Sequence, residues 1–265
     1  MSMRRRCCAL LILLLAACGS PEDDSQDGVT NDDGDMMGNQ TGNDAGGGRG
    51  GDMDIDATAG DDGPPPPLDD CADGDIAADE VVWTGDSWID IPGNQKTRVD
   101  ELARAAGTIG PNESFVDLAV SGTPIRGIID QYNGREAGPI KVKVLLMDGG
   151  GIDTIRGGGS EASVTAVVNA FTEHLAQIAA DGTVLHVVYF LYPELPTIAG
   201  VAALRPGTQA ACAESAVPCH FLDLQPRWEG HPEFTGPDRI HPSQAGANVI
   251  GEAIWNIMEE NCIAQ

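Results

Sequence analysis

Basic residues are scarce in this 265-residue chain: 15 lysines and arginines stand against 41 aspartates and glutamates, for a formal net charge of −26. That excess repels phosphodiester backbones and anionic headgroups, so nucleic acid is excluded as a partner. The apolar run at residues 9–17 is too short to cross a bilayer as a helix. No CxxC or HxxxH pair occurs among the seven cysteines and five histidines, which removes the usual spacing of zinc ligands. No Gly-Lys-Ser or Gly-Lys-Thr ends a glycine-rich stretch, which removes a phosphate loop. No metal and no cofactor is expected.

What is present begins with three arginines at residues 4–6, the short apolar run, and small residues ahead of a cysteine. Residues 1–17 read as a secretion signal. Leu15-Ala16-Ala17-Cys18 resembles a bacterial lipobox, which implies cleavage before Cys18 and acylation of its thiol, a palmitate-type membrane anchor. Gly19 follows where an aspartate would favour inner-membrane retention in some bacteria. The expected location is therefore the cell envelope, on the periplasmic or surface face of the outer membrane. Residues 19–70 hold no aromatic residue, fifteen carboxylates and one arginine. Such a segment buries too little surface to offset its ordering entropy, so residues 18–70 read as an extended acidic tether.

Residues 71–265 keep 26 acids and eleven bases, enough chain for one domain with a sizeable core. Beyond Cys18 they contain Cys71, Cys212, Cys219 and Cys262, an even number in an exported chain, with three possible pairings. The favoured pairing joins Cys71 to Cys262 across the domain ends and Cys212 to Cys219 across a short loop. Apolar runs predict strands at residues 80–85, 115–120, 142–147, 183–191 and 220–224. Helical spacing predicts helices at 95–106, 125–132, 160–180 and 243–259, with Ser160 as a cap and Asp181-Gly182 as a stop. Alternation of near-continuous apolar strands with helices argues for a doubly wound, three-layer α/β domain with a five-stranded, mainly parallel sheet. In such sheets ligands bind at the carboxyl ends of the strands.

Gly85-Asp86-Ser87 falls just past the first strand, where a strand-to-helix turn exposes a serine hydroxyl and aims its own backbone N–H at the reacting centre. Asp238-Arg239-Ile240-His241-Pro242 precedes the last helix, and an acid three residues before a histidine is placed to orient the imidazole. Between them lie Ala119-Val120-Ser121-Gly122 after the second strand and Asp148-Gly149-Gly150-Gly151-Ile152-Asp153 after the third. Taken in order, these four blocks resemble those of the SGNH, or GDSL-type, hydrolases over nearly all of residues 80–260.

The resemblance implies a flavodoxin-like SGNH fold, with Ser87 as nucleophile, His241 as general base and then acid, and Asp238 as its orienter. It implies an oxyanion hole lined by the N–H groups of Ser87 and Gly122. The family's third donor is an asparagine, and Ile152 occupies its place. An isoleucine side chain donates no hydrogen bond. Loss of one such donor costs roughly 2.7 to 4 kcal/mol, about 10² to 10³ in turnover. Thr154 and the backbone of Gly151 are the expected substitutes.

Trp88 and Arg156 are candidates for substrate contact, although core packing accounts for Trp88 and solvation for Arg156 equally well. His174 and His186 read as structural. His220, His231 and Trp228 are candidates for a pocket entrance. The leading expectation is a lipid-anchored serine esterase acting through an acyl-enzyme on a small acyl ester or acylated glycan. A catalytically weak or inactive binding module, and an acyltransferase on the same residues, are the alternatives.

Overall fold

A computed structural model describes residues 76–91 and 95–264, all within one unit of the chain, Asp62–Gln265. The signal, Cys18, the tether and Cys71 lie outside the described residues. Five strands form one sheet: β1 (Val81–Thr84), β2 (Val116–Asp117), β3 (Val144–Met147), β4 (His186–Leu191) and β5 (Cys219–Asp223). Their order is β2-β1-β3-β4-β5, and every pairing is parallel. The register sets Trp83 beside Asp117 and Leu146, and Leu146 beside Val188. All four residues of β1 and all four of β3 are buried, as strands covered on both faces must be.

Eight helices accompany the sheet among the described residues: α1 (Ser87–Asp90), α2 (Gln95–Ala106), α3 (Ile125–Glu136), α4 (Gly151–Arg156), α5 (Glu161–Asp181), α6 (Val201–Ala213), α7 (Gln225–Trp228) and α8 (Gln244–Glu260). The Ser160 hydroxyl caps α5 by accepting from the Ser163 N–H at 3.3 Å, and Gly182 ends it in the left-handed conformation with φ +69°. That placement agrees with the sequence reading to within a residue. Helix α5 buries Val167, Phe171, Leu175 and Ile178, one face at helical spacing, against the sheet. The Ser243 hydroxyl caps α8 in the same manner. There Gly251 lets α8 close on α2, since a Cβ at that position would lie 2.7 Å from Cβ of Arg98.

Three sequence expectations are corrected. The glycine-rich stretch after β3 is a helix over its centre, α4, because positive φ is confined to Gly149 and Gly150 on entry and Gly158 and Gly159 on exit. Helix α6 falls where no helix was predicted; Pro206 and Gly207 inside it hid the pattern. Gly207 permits close packing on α5, since a Cβ there would meet Val168 at 2.6 Å. Strand β2 is only two residues long, although its ladder continues through the Leu118 N–H to the Trp83 carbonyl and the Val120 N–H to the Gly85 carbonyl. Cys212 and Cys219 form a disulfide, as expected. Cys262 is also disulfide-bonded.

Candidate active site

The chain leaves β1 for β2 on one side and returns to β3 on the other, so β1 and β3 flank the point where strand order reverses. Here Gly85 has a steric reason: a Cβ would lie 2.2 Å from Oδ1 of Asp148 and 2.6 Å from Cδ1 of Ile89. That carboxyl, at the end of β3, accepts the Asp86 N–H at 2.9 Å. Asp86 in turn caps α1, its Oδ1 accepting the Trp88 N–H at 3.0 Å, while Tyr192 donates its hydroxyl to Oδ2 at 3.0 Å. Gln131 of α3 brackets Gly85, accepting its N–H at 2.8 Å and donating to its carbonyl at 3.0 Å. The turn carrying Ser87 is thereby held from four directions.

His241 meets Ser87 there. Nε2 of His241 lies 2.8 Å from Oγ of Ser87, and Nδ1 lies 2.6 Å from Oδ2 of Asp238. The other oxygen of Asp238 accepts the N–H groups of Ile240 and His241, both at 3.0 Å. The hydrogen bond from His241, reinforced by those two N–H groups, holds the Asp238 carboxyl at about 2, so it stays ionised through neutral pH. The loop closes on itself through a Thr235–Pro242 bridge and the Gly236 N–H to the His241 carbonyl at 2.7 Å. Arg239 takes φ +60° to turn it, and the Thr197 hydroxyl donates to the Arg239 carbonyl.

The segment bearing Gly122 is tied on both sides. Asp90 accepts the Ser121 N–H at 2.9 Å and its hydroxyl at 2.6 Å, which lowers the Asp90 carboxyl. From α4, Asp153 accepts the Ile125 N–H at 2.8 Å, and Arg156 donates to the Gly122 carbonyl at 3.2 Å. Gly122 itself has φ +76°. The backbone N–H groups of Ser87 and Gly122 take part in no hydrogen bond among the described residues and remain available to an oxyanion.

Several sequence assignments change. Thr154 is fully buried and its hydroxyl donates to the Gly151 carbonyl at 2.9 Å, so its hydrogen is already committed and it is no oxyanion donor. Gly151 packs under Tyr192, where a Cβ would approach the ring to 2.8 Å. Trp88 is 2 % exposed and packed against Tyr192 and Trp228, so most of it belongs to the core, while it also lines the small cavity beside Ser87. The Arg156 guanidinium braces the Gly122 loop, a role its sequence position did not reveal. His220 contacts His186 at 3.1 Å toward the amino end of the sheet, away from Ser87. His174 is buried against Tyr132, and its imidazole is pushed down to about 4 by desolvation. His231 and Trp228 do line a hollow of about 370 Å³, together with Glu194, Gln225 and Arg239.

Sequence reasoning missed the buried pair Asp86 and Asp148. Burial, with the Asp86 charge second, pushes the Asp148 carboxyl well above the carboxylate range. Burial also raises Asp86, opposed by its bonds from Trp88 and Tyr192. Both carboxyls are thus pushed toward the protonated form, Asp148 the more strongly, while the donors converge on Asp86. Oδ2 of Asp148 is buried without a hydrogen-bond partner. An acid ending an apolar strand directly before glycines was the available signal.

Comparison with solved structures yields a consistent set. A family 3 carbohydrate esterase from Clostridium thermocellum aligns at 17 % identity with a TM-score of 0.56, over 70 % of this chain and 98 % of that one. A carbohydrate esterase of the same family from Talaromyces cellulolyticus aligns at 18 % with a TM-score of 0.55, over 68 % and 98 %. A protein of Desulfitobacterium hafniense assigned to the lipolytic G-D-S-L family aligns at 13 % with a TM-score of 0.53, over 67 % and 98 %. The fold is that of the SGNH hydrolases. No family model and no curated protein matches the chain. On this SGNH fold, Ser87, Gly122 and His241 all lie at the carboxyl edge of the sheet, as the sequence blocks implied.

Proposed function

We propose that the chain is a serine esterase that removes a small acyl group from an alcohol, a glycan hydroxyl foremost. The hydrogen-bonded series Ser87–His241–Asp238 carries the reading. Oγ of Ser87 attacks the acyl carbon while His241 takes its proton, and negative charge develops on the carbonyl oxygen toward the N–H groups of Ser87 and Gly122. The bond to the alcohol oxygen breaks as His241 returns the proton to it, leaving an acyl-serine. Water, deprotonated by His241, releases the carboxylic acid and restores Ser87. An alcohol acceptor in place of water would transfer the acyl group.

The hollow of about 370 Å³ beside the catalytic loop supports a glycan as the alcohol, since Glu194, Gln225 and Arg239 offer donors and acceptors beside the indole of Trp228. Solved carbohydrate esterases sharing the fold point the same way. Cys18, within its lipobox-like sequence, supports anchoring at the outer membrane.

A second reading, a silent binding module, is favoured by Ile152, which withdraws one donor. A fluorophosphonate that phosphonylates activated serines separates the two. Labelling of the parent and not of Ser87→Ala establishes the nucleophile; a parent that stays unlabelled leaves the binding module.

A further inference from the structure

Ile152 does more than remove a donor. Together with Ile155 it forms one face of α4, and Ile198 from the β4–α6 connection and Ile240 from the catalytic loop complete an apolar wall beside Ser87. Trp88 and Tyr192 close the floor, with ring centroids 5.1 Å apart and exposures of 2 % and 1 %. The cavity they leave measures about 20 Å³. A water-sized occupant needs about 10–15 Å³ by this measure, so the space takes one group the size of a methyl. Isoleucine is stiff at χ1, which makes the wall slow to yield. The far larger hollow lies beyond the catalytic loop, lined by polar groups. The two spaces are unequal in both size and chemistry.

We propose that the isoleucine wall, with Ile152 and Ile155 at its centre, restricts the acyl group to acetyl. On this assignment the position that lacks an oxyanion donor has become a determinant of acyl length. The inference rests on the esterase reading above. Acetyl transfer to Ser87 releases the alcohol, and water then releases acetate, so the methyl group alone occupies the cavity. Added methylenes exceed the cavity and press on the isoleucine wall.

The experiment measures kcat/KM of the full chain for p-nitrophenyl acetate, butyrate and octanoate, with Ser87→Ala as the blank. The parent is expected to prefer acetate over butyrate by about tenfold or more, the scale on which small apolar pockets discriminate. Ile152→Ala and Ile155→Ala are expected to raise the butyrate-to-acetate ratio by about fivefold or more. Ile155 is 41 % exposed, so its variant keeps the fold, and a ratio cancels any loss of active protein. Serine-dependent turnover with octanoate equal to acetate, or a ratio unmoved in both variants, overturns the acetyl assignment and leaves the esterase intact. Absence of serine-dependent turnover on all three esters, with no fluorophosphonate labelling, overturns the esterase reading itself.

Discussion

Replacing Asp148 by asparagine keeps an oxygen for the Asp86 N–H but removes one titrating group from beneath the nucleophile. The structure fixes the sign of the effect. Asp148 is fully buried, and desolvation together with the Asp86 charge raises its carboxyl, so the folded chain retains a proton there. An unfolded chain releases that proton above about pH 3.9. A raised carboxyl stabilises the fold fully only below the unfolded value, and the contribution is lost as pH rises toward the folded one. Each pH unit within that window costs about 1.4 kcal/mol per retained proton. Asp148→Asn has no such proton, so its stability relative to the parent should climb as pH rises above about 3.9, by about 1.4 kcal/mol for each pH unit over which the folded parent keeps its proton. Urea unfolding of both chains at several pH values, followed by the fluorescence of buried Trp83 and Trp88, measures the difference. A gap between the two that stays constant as pH rises from about 3.9 would show that Asp148 keeps no proton in the fold and refute the shared-proton account.

Two further outcomes test the frame around Ser87. Asp238→Asn leaves an oxygen for the Ile240 and His241 N–H groups but removes the carboxylate on Nδ1, and should lower kcat by about 10² to 10⁴ with little change in KM; an unchanged kcat would separate Asp238 from the chemistry. Gly85→Ala places a Cβ against Asp148 and Ile89 and should destabilise by about 1–3 kcal/mol in urea unfolding. A midpoint equal to that of the parent would mean the nucleophile turn is slack.

The parts of the fold that announce themselves do so through continuous burial. Strands β1, β3 and β4 are apolar on both faces, and α5 and α8 carry capping serines with buried residues at helical spacing. Ser87, Asp238 and His241 were legible because residue type and place relative to a strand end or a helix start coincide. Helix α6 was hidden because Pro206 and Gly207 penalise a helix locally, and only packing against α5 outweighs that penalty. Helix α4 was hidden by glycines whose positive φ is confined to its two ends. The functions of Asp86, Tyr192 and Arg156 could not be read, since each depends on a distant partner: Tyr192 reaches Asp86 across 106 positions, and Arg156 reaches Gly122 across 34.

Ser87 and His241 stand 154 positions apart, and His241 hangs on the loop that feeds α8, itself packed on α2. Ser87 opens α1 directly behind β1, whereas His241 is carried by the loop that leads into α8. Displacement of α8 would carry the imidazole away from Ser87. On the proposed mechanism, hydrolysis should therefore require α8 to be seated. The Ser87–His241 hydrogen bond is in effect a clasp between two distant segments of the domain, and turnover, on the proposed mechanism, reports whether that clasp is shut.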